Sequence, residues 1–222
     1  MRHLEQEINS LRQDIIEMWR MTISQVYNAG EAILSFDKDL AMQVSMRERK
    51  IDAFELKIDS ECENIIALHQ PVAIDLRLVL AVLKINSNLE RIADFAYGIS
   101  RILLANPSLI LDAELITDSK LNSMVKQVNK MLAQGLEAFE TEKPQIAAAI
   151  FSEDYQVDEI NANVSRKIAE YIKKNPERAY ECLQLMGVFR KLERIGDHCS
   201  NIAEEIFFFT DAKILKHTDK KL

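Results

Sequence analysis

Apolar residues recur every three or four positions along most of the chain, which is the pattern of helices that each bury one face. Ile51, Phe54, Ile58, Cys62 and Ile65 form one such row. Val188, Leu192, Ile195, Cys199, Ile202 and Ile206 form another. The pattern predicts six helices, over roughly residues 3–35, 37–69, 71–104, 112–141, 144–173 and 176–209. Asp37 is placed to cap the second. Pro71, Pro144 and Pro176 stand at helix starts, where the missing proline N–H has no intrahelical partner to lose. Asn106-Pro107 interrupts the pattern between the third and fourth helices. A helix of ~30 residues is ~45 Å long, and short connections make sequence neighbours antiparallel. The apolar rows need partners, so the helices bundle.

An internal repeat divides the six helices into two sets. LERIADFA at Leu89–Ala96 returns as LERIGDHC at Leu192–Cys199, 103 residues later. Upstream, ERKID at Glu48–Asp52 parallels DYQVD at Asp154–Asp158, 106 residues later. In each half the first segment falls on the middle helix and the second on the last. The expected fold is therefore all-α: two tandem three-helix bundles of long antiparallel helices, divided as residues 1–106 and 107–222.

Composition narrows the picture. The chain has 222 residues and is 48% hydrophobic, enough for a large core, with only 5 Gly and 4 Pro to build the frequent turns of a β fold. Its net charge of −7 and the lack of a basic stripe argue against a nucleic-acid partner. The lysines near the end (Lys213, Lys216, Lys220, Lys221) read as a short solvated tail. Three cysteines, Cys62, Cys182 and Cys199, without a CxxC suit reduced thiols in small core positions, as in a cytoplasmic protein. The opening MRHLEQEINSLRQD is charged throughout, unlike a signal peptide. The longest strongly apolar run, Leu78 to Leu83, falls far below the roughly 20 residues of a membrane span. No membrane insertion is expected.

The repeat carries one chemical pattern four times: an acid, three residues, then Asp. The pairs are Glu48/Asp52, Glu90/Asp94, Asp154/Asp158 and Glu193/Asp197. Residues i and i+4 share a helix face, so each pair sets two carboxylates side by side, at a cost of ~0.2–0.5 kcal/mol on an isolated helix. One such pair is ordinary on a solvated helix. Four at matched places, bordering the apolar faces, are not. If the middle and last helices of each half are neighbours, four carboxylates gather at one seam. Such a cluster protonates, pairs with cations or binds metal. Its oxygen ligands suit Mg, Ca, Mn or iron, and carboxylates also accept zinc. No His/Cys set has the spacing of a closed zinc site. No Glu precedes a His by three residues, so the di-iron bundle pattern is missing.

Lesser candidates surround these motifs. His198 adjoins Asp197 as a ligand or a packing group. Arg91 and Arg194 repeat and can pair with nearby acids. Asn86 and Asn201 each lie four residues from a motif acid. Trp19 reads as core or interface, and Phe207, Phe208 and Phe209 as a run left partly exposed. No nucleophile–base constellation, P-loop, GxSxG or GxGxxG occurs, so no enzyme is expected.

The repeated LERIxDxxxxIxxE, fullest at Leu192–Glu205, resembles the signature of the PhoU family. The DLR at Asp75–Arg77, the opening from His3 to Met18 and the ending from Phe207 to His217 are also similar to that family. The resemblance covers nearly the whole chain. It implies two three-helix bundles with metal clusters on their surfaces. The implied ligands are Glu48, Asp52, Glu90, Asp94, Asp154, Asp158, Glu193 and Asp197, and the implied ions are iron, zinc, manganese or magnesium. It further implies a cytoplasmic negative regulator of phosphate uptake and of the phosphate-starvation response. Such a protein connects a phosphate ABC transporter ATPase to a sensor histidine kinase. A homodimer is expected separately, from a broad apolar edge. A metal-dependent hydrolase on a helical bundle and a purely structural scaffold are the alternatives. Departures from the family pattern are Ala93 against Gly196, Phe95 against His198, Asp154 in place of Glu, and Ala212 in place of Gly.

Overall fold

A computed structural model of the chain describes residues 2–106 and 109–212. Pro107, the four tail lysines and the ending beyond Ala212 lie outside the described residues. The described residues form helices and connections with no strand. Seven α-helices follow in order: α1 (Arg2–Ser35), α2 (Lys38–Asn64), α3 (Ala73–Ala105), α4 (Ala113–Ser119), α5 (Leu121–Thr141), α6 (Pro144–Lys174) and α7 (Ala179–Asp211). A π-helical turn, Ile65–His69, extends α2, and a 3-10 turn, Pro176–Arg178, precedes α7.

The local signals act as expected at two helix starts. The Asp37 carboxylate accepts from the Leu40 N–H at 2.9 Å, satisfying an otherwise orphaned amide of α2; such a cap contributes about 1 kcal/mol. Pro144 opens α6 within its first turn. Pro71 and Pro176 instead lie just ahead of α3 and α7, in the connections. The single helix expected over 112–141 is broken. Lys120 takes a left-handed backbone (φ 61°), ending α4 and starting α5 in a new direction.

The α1–α2, α2–α3 and α5–α6 connections and the end of α7 use the same device without glycine. Phe36, Gln70, Ala73, Glu142 and Ala212 all have positive φ, whereas no glycine does. The glycines serve close packing instead. A Cβ at Gly135 would stand 2.9 Å from Trp19 Cζ2, so only glycine lets the indole lie against α5.

Within each half, three helices pack mutually: α1, α2 and α3 in the first, α5, α6 and α7 in the second. The halves join along α3 against α7 and α1 against α5. Both joints are antiparallel. Asn88 meets His198 while Asn106 meets Gln184, and Arg12 meets Glu142 while Trp19 meets Leu132. The core therefore runs through both bundles without a gap. Each fully buried Leu, Ile or Phe in it contributes about 1.5–3 kcal/mol. Phe207 and Phe209 are buried in this core, and only Phe208 of that run is partly exposed, under the Lys84 ammonium. The three cysteines are buried and free.

Candidate acidic site

The antiparallel pairing of middle and last helices brings the predicted acids together, one cluster per half. In the second half, Asp154 and Asp158 on α6 face Asp197 on α7. Each offers a carboxylate oxygen within 4.8 Å of the others. Asp154 is buried, Asp197 half-buried and Asp158 exposed, so the group opens to solvent at one side. Ser200, one turn beyond Gly196, donates its hydroxyl to Asp154 Oδ2 at 2.7 Å. Glu193 joins the edge of this group. Burial raises its pKa first, and the carboxylates of Asp197, Asp158 and Asp154 raise it further, against the Arg194 guanidinium.

The first half holds the larger acidic collection. Burial pushes the Glu48 carboxyl up to about 7, and Asp52, Asp94 and Glu90 push in the same direction. The opposing force is a hydrogen bond from Gln25 Nε2, which donates to Glu48 Oε2 at 3.0 Å. Gln25 is fully buried on α1 and also donates to the Val44 carbonyl, so its aim is fixed. Glu90 is raised by burial and then by Glu55, with Asp94 and Asp52 adding to it. Glu55 and Asp59 thus extend the row Glu48, Asp52 along α2. The corresponding residues of α6 are Asn161 and Ser165.

The eight acids singled out from the sequence therefore fall into two sets of four. Only in the second half do three lie within one ion's reach among the described residues. Carboxylate oxygens in such a group fit a hard cation, with the remaining positions left to water or another oxygen ligand.

The lesser candidates resolve unevenly. Arg91 Nε lies 3.6 Å from Glu90, while Arg194 lies 3.9 Å from Glu193 and 3.3 Å from Asp197, so the repeated arginines pair along their own helices. Asn86 is buried and donates to the Glu55 carbonyl and to Asp59 Oδ1, outside the four-acid motif. Asn201 reaches across the joint to Asn88 Oδ1 at 3.4 Å. His198 shares that acceptor: its Nδ1 lies 2.7 Å from Asn88 Oδ1 and its ring is tilted against Phe95. Burial lowers the His198 pKa, and Arg91 and Arg194 lower it further, against Asp197. A neutral ring with its proton on Nδ1 is the form this contact selects. His198 is thus a link between halves at the cluster's border. Gln25, Ser200, Asn88, Glu55 and Asp59 escaped sequence reasoning. Glu55 and Asp59 were detectable as further members of a 3–4-spaced acidic row. The others depend on which helices meet.

Comparison with known proteins agrees with the all-helical fold. The PhoU domain profile matches residues 15–103 and 121–206, one copy on each half. The phosphate-specific transport system accessory protein PhoU of Escherichia coli is 33% identical over 211 residues, covering 95% of this chain and 86% of that protein. The PhoU homolog of Zymomonas mobilis is 32% identical over 209 residues, covering 94% and 87%. The crystal structure of PhoU from Pseudomonas aeruginosa superposes with a TM-score of 0.88 at 29% identity, covering 94% of this chain and 99% of that one. The phosphate transport system regulatory protein PhoU from Streptococcus pneumoniae gives 0.85 at 26% identity, covering 95% and 98%.

Proposed function

The chain belongs to the PhoU family, and from that premise we propose that it is a metal-binding adaptor that restrains phosphate uptake and the phosphate-starvation response. Its role is accessory to phosphate transport. Its partners are the ATPase of a phosphate ABC transporter and a sensor histidine kinase, and it works in the cytoplasm as a homodimer. No helix of the described residues is long and apolar enough to cross a membrane, so contact with the transporter is by docking. Exposed Met42, Met46 and Leu56 share one side of α2 and offer a strip for self-association.

The observation that carries the metal reading is the gathering of four carboxylates at each middle–last helix seam. Asp154, Asp158 and Asp197 would hold an ion in the second half, with Glu193 at its edge. Glu48, Asp52, Glu90 and Asp94 are the corresponding candidates in the first. A hard cation such as manganese, magnesium or iron, or zinc, would supply positive charge that offsets this repulsion and fixes the faces of α6 and α7 toward a partner. A regulatory role by binding follows the family's accessory character; none of these groups is required to act as a nucleophile.

The test has two arms. Deleting the gene should raise phosphate-responsive transcription in phosphate-rich medium, and the wild-type gene should restore repression. Unchanged transcription would sink the regulatory reading. Untagged protein should retain metal by elemental mass spectrometry, and Asp154→Asn/Asp197→Asn should lose it while keeping its helical circular dichroism. Equal metal in both proteins would sink the assignment of the site.

A further inference from the structure

The second half departs from the first in one element. Where α1 runs unbroken from Arg2 to Ser35, its counterpart is split into α4 and α5 at Lys120. A lysine in the left-handed region is disfavoured and persists where the surrounding structure fixes it. The split opens a cleft of about 410 Å³ between the end of α4, the start of α5 and the flank of α6. Its volume lies within the range of small-molecule sites.

Most of the lining side chains are polar, and several are donors. Lys120 stands at the break and Lys167 enters from α6, where its ammonium donates to the Asp118 carbonyl and is held beside α4. Ser123 and Gln127 contribute from successive turns of α5, and Ile160 is the apolar member. The Gln127 side-chain nitrogen is buried and has no hydrogen-bond partner, so one residue of the lining carries an unsatisfied donor. α5 begins here without a side-chain cap, so the N–H groups of its first turn are further donors, beside the carbonyl end of α4. One acid, Glu159, lies among these donors.

We propose that this cleft is a binding site for the phosphate group, either as free hydrogen phosphate or as a small hydroxylated phosphomonoester. Two ammonium groups and neutral donors match an oxyanion's multiple acceptors. Glu159 sets the specificity. A carboxylate accepts a hydrogen bond from P–OH or from an alcohol, and it repels an anion with no proton to give, such as sulfate. The site lies on the α4–α5–α6 side and uses none of the paired acids, so it stands apart from the metal reading.

The experiment is calorimetric titration of chelator-treated, full-length protein with inorganic phosphate, glycerol phosphate and sulfate. Saturable binding of phosphate or glycerol phosphate is expected, with sulfate weaker. The stronger of the two names the source. Lys120→Gln/Lys167→Gln should weaken that binding by roughly tenfold or more, the loss expected for a charge-assisted contact. Glu159→Gln should strengthen it and bring sulfate close to phosphate, a gain that misfolding cannot produce. No saturable binding by either phosphate compound would overturn the proposal. So would binding unchanged in the lysine variant, or binding lost instead in Asp154→Asn/Asp197→Asn.

Discussion

A methyl group at position 196 would stand 2.9 Å from Asp154 Oδ1, so the glycine of the second LERIxD segment is what lets that carboxylate lie against α7. The first segment carries Ala93 at the matching place, and there no three acids converge within one ion's reach among the described residues. Gly196→Ala pits two effects against each other. Alanine favours the helix by about 0.5–1 kcal/mol over glycine, while crowding costs about 1–3 kcal/mol. The net is a loss of about 0–2.5 kcal/mol, so the melting temperature should fall by a few degrees. Metal affinity should fall about tenfold, as it does when a group orienting a ligand is disturbed. Competition with a metal-chelating dye on the folded variant measures this. An unchanged affinity would show that Asp154 moves freely and is not positioned by Gly196.

The Glu48 carboxyl makes the first cluster sensitive to pH. Its folded pKa, about 7, lies above the ordinary 4.5, so the folded chain holds a proton that the unfolded chain has released. Stability from this group is fully present below about pH 4.5 and is lost as pH rises through about 7. Metal-free protein should consequently become less stable between those values in urea melts. Glu48→Gln should flatten that slope, because the amide keeps the neutral form that burial favours and still accepts from Gln25. A slope equal in both proteins would mean that Glu48 is solvated and ionised throughout. The opposite dependence holds for metal binding, which requires the carboxylate and should strengthen as pH rises.

The sequence was readable wherever one helix carries its own signal. Helix ends followed Asp37 and Pro144 closely because a cap and a fixed φ are local effects. The four acid pairs were visible because i,i+4 spacing on one helix is also local, and the repeat told which helices would face each other. The break at Lys120 was not, since nothing in Asp118-Ser119-Lys120-Leu121 resembles a glycine or proline stop; the chain bends there because Leu115 and Leu121 both reach the core. Pairings between helices, such as Asn88 with His198 across the joint and Ser200 with Asp154 within the second half, depend on helix register. A hydroxyl three residues from Asp197 carries no mark of the neighbour it will find. The depth of burial at Phe207 and Phe209 was hidden for the same reason: Phe207 stacks on Phe151 of α6 and Phe209 meets Phe139 of α5, neighbours that only the packing of these helices supplies.

At the end of α7, Ala212 adopts φ 56°, the left-handed conformation in which the family resemblance leads one to expect glycine. A Cβ in that region is strained by about 1–2 kcal/mol. Ala212→Gly removes the strain but also loosens the unfolded chain, which offsets part of the gain. The expected result is a protein more stable by up to about 1 kcal/mol, read as a higher urea midpoint with the same slope. A lower midpoint would indicate that α7 does not stop at this residue in solution.

Trp19 is the one tryptophan of the chain, and it spans the joint between the halves. Its indole N–H donates to the Leu132 carbonyl at 3.1 Å, its ring lies 5.8 Å from Phe139, and it fills the space left by Gly135. It is fully buried, so its emission reports on whether α1 and α5 remain packed. Because the same core runs through both bundles, fluorescence and far-ultraviolet circular dichroism should lose native signal in one coincident urea transition. Trp19→Phe should lower stability by about 1–3 kcal/mol, combining a lost buried hydrogen bond with a partly filled space. Fluorescence falling before helicity would instead mean that the halves separate while each bundle stays folded. In that case the shared α1–α5 and α3–α7 seams would be a docking surface between two independent units, and Trp19→Phe, which removes the one tryptophan and is read by circular dichroism, would leave the loss of helicity unmoved.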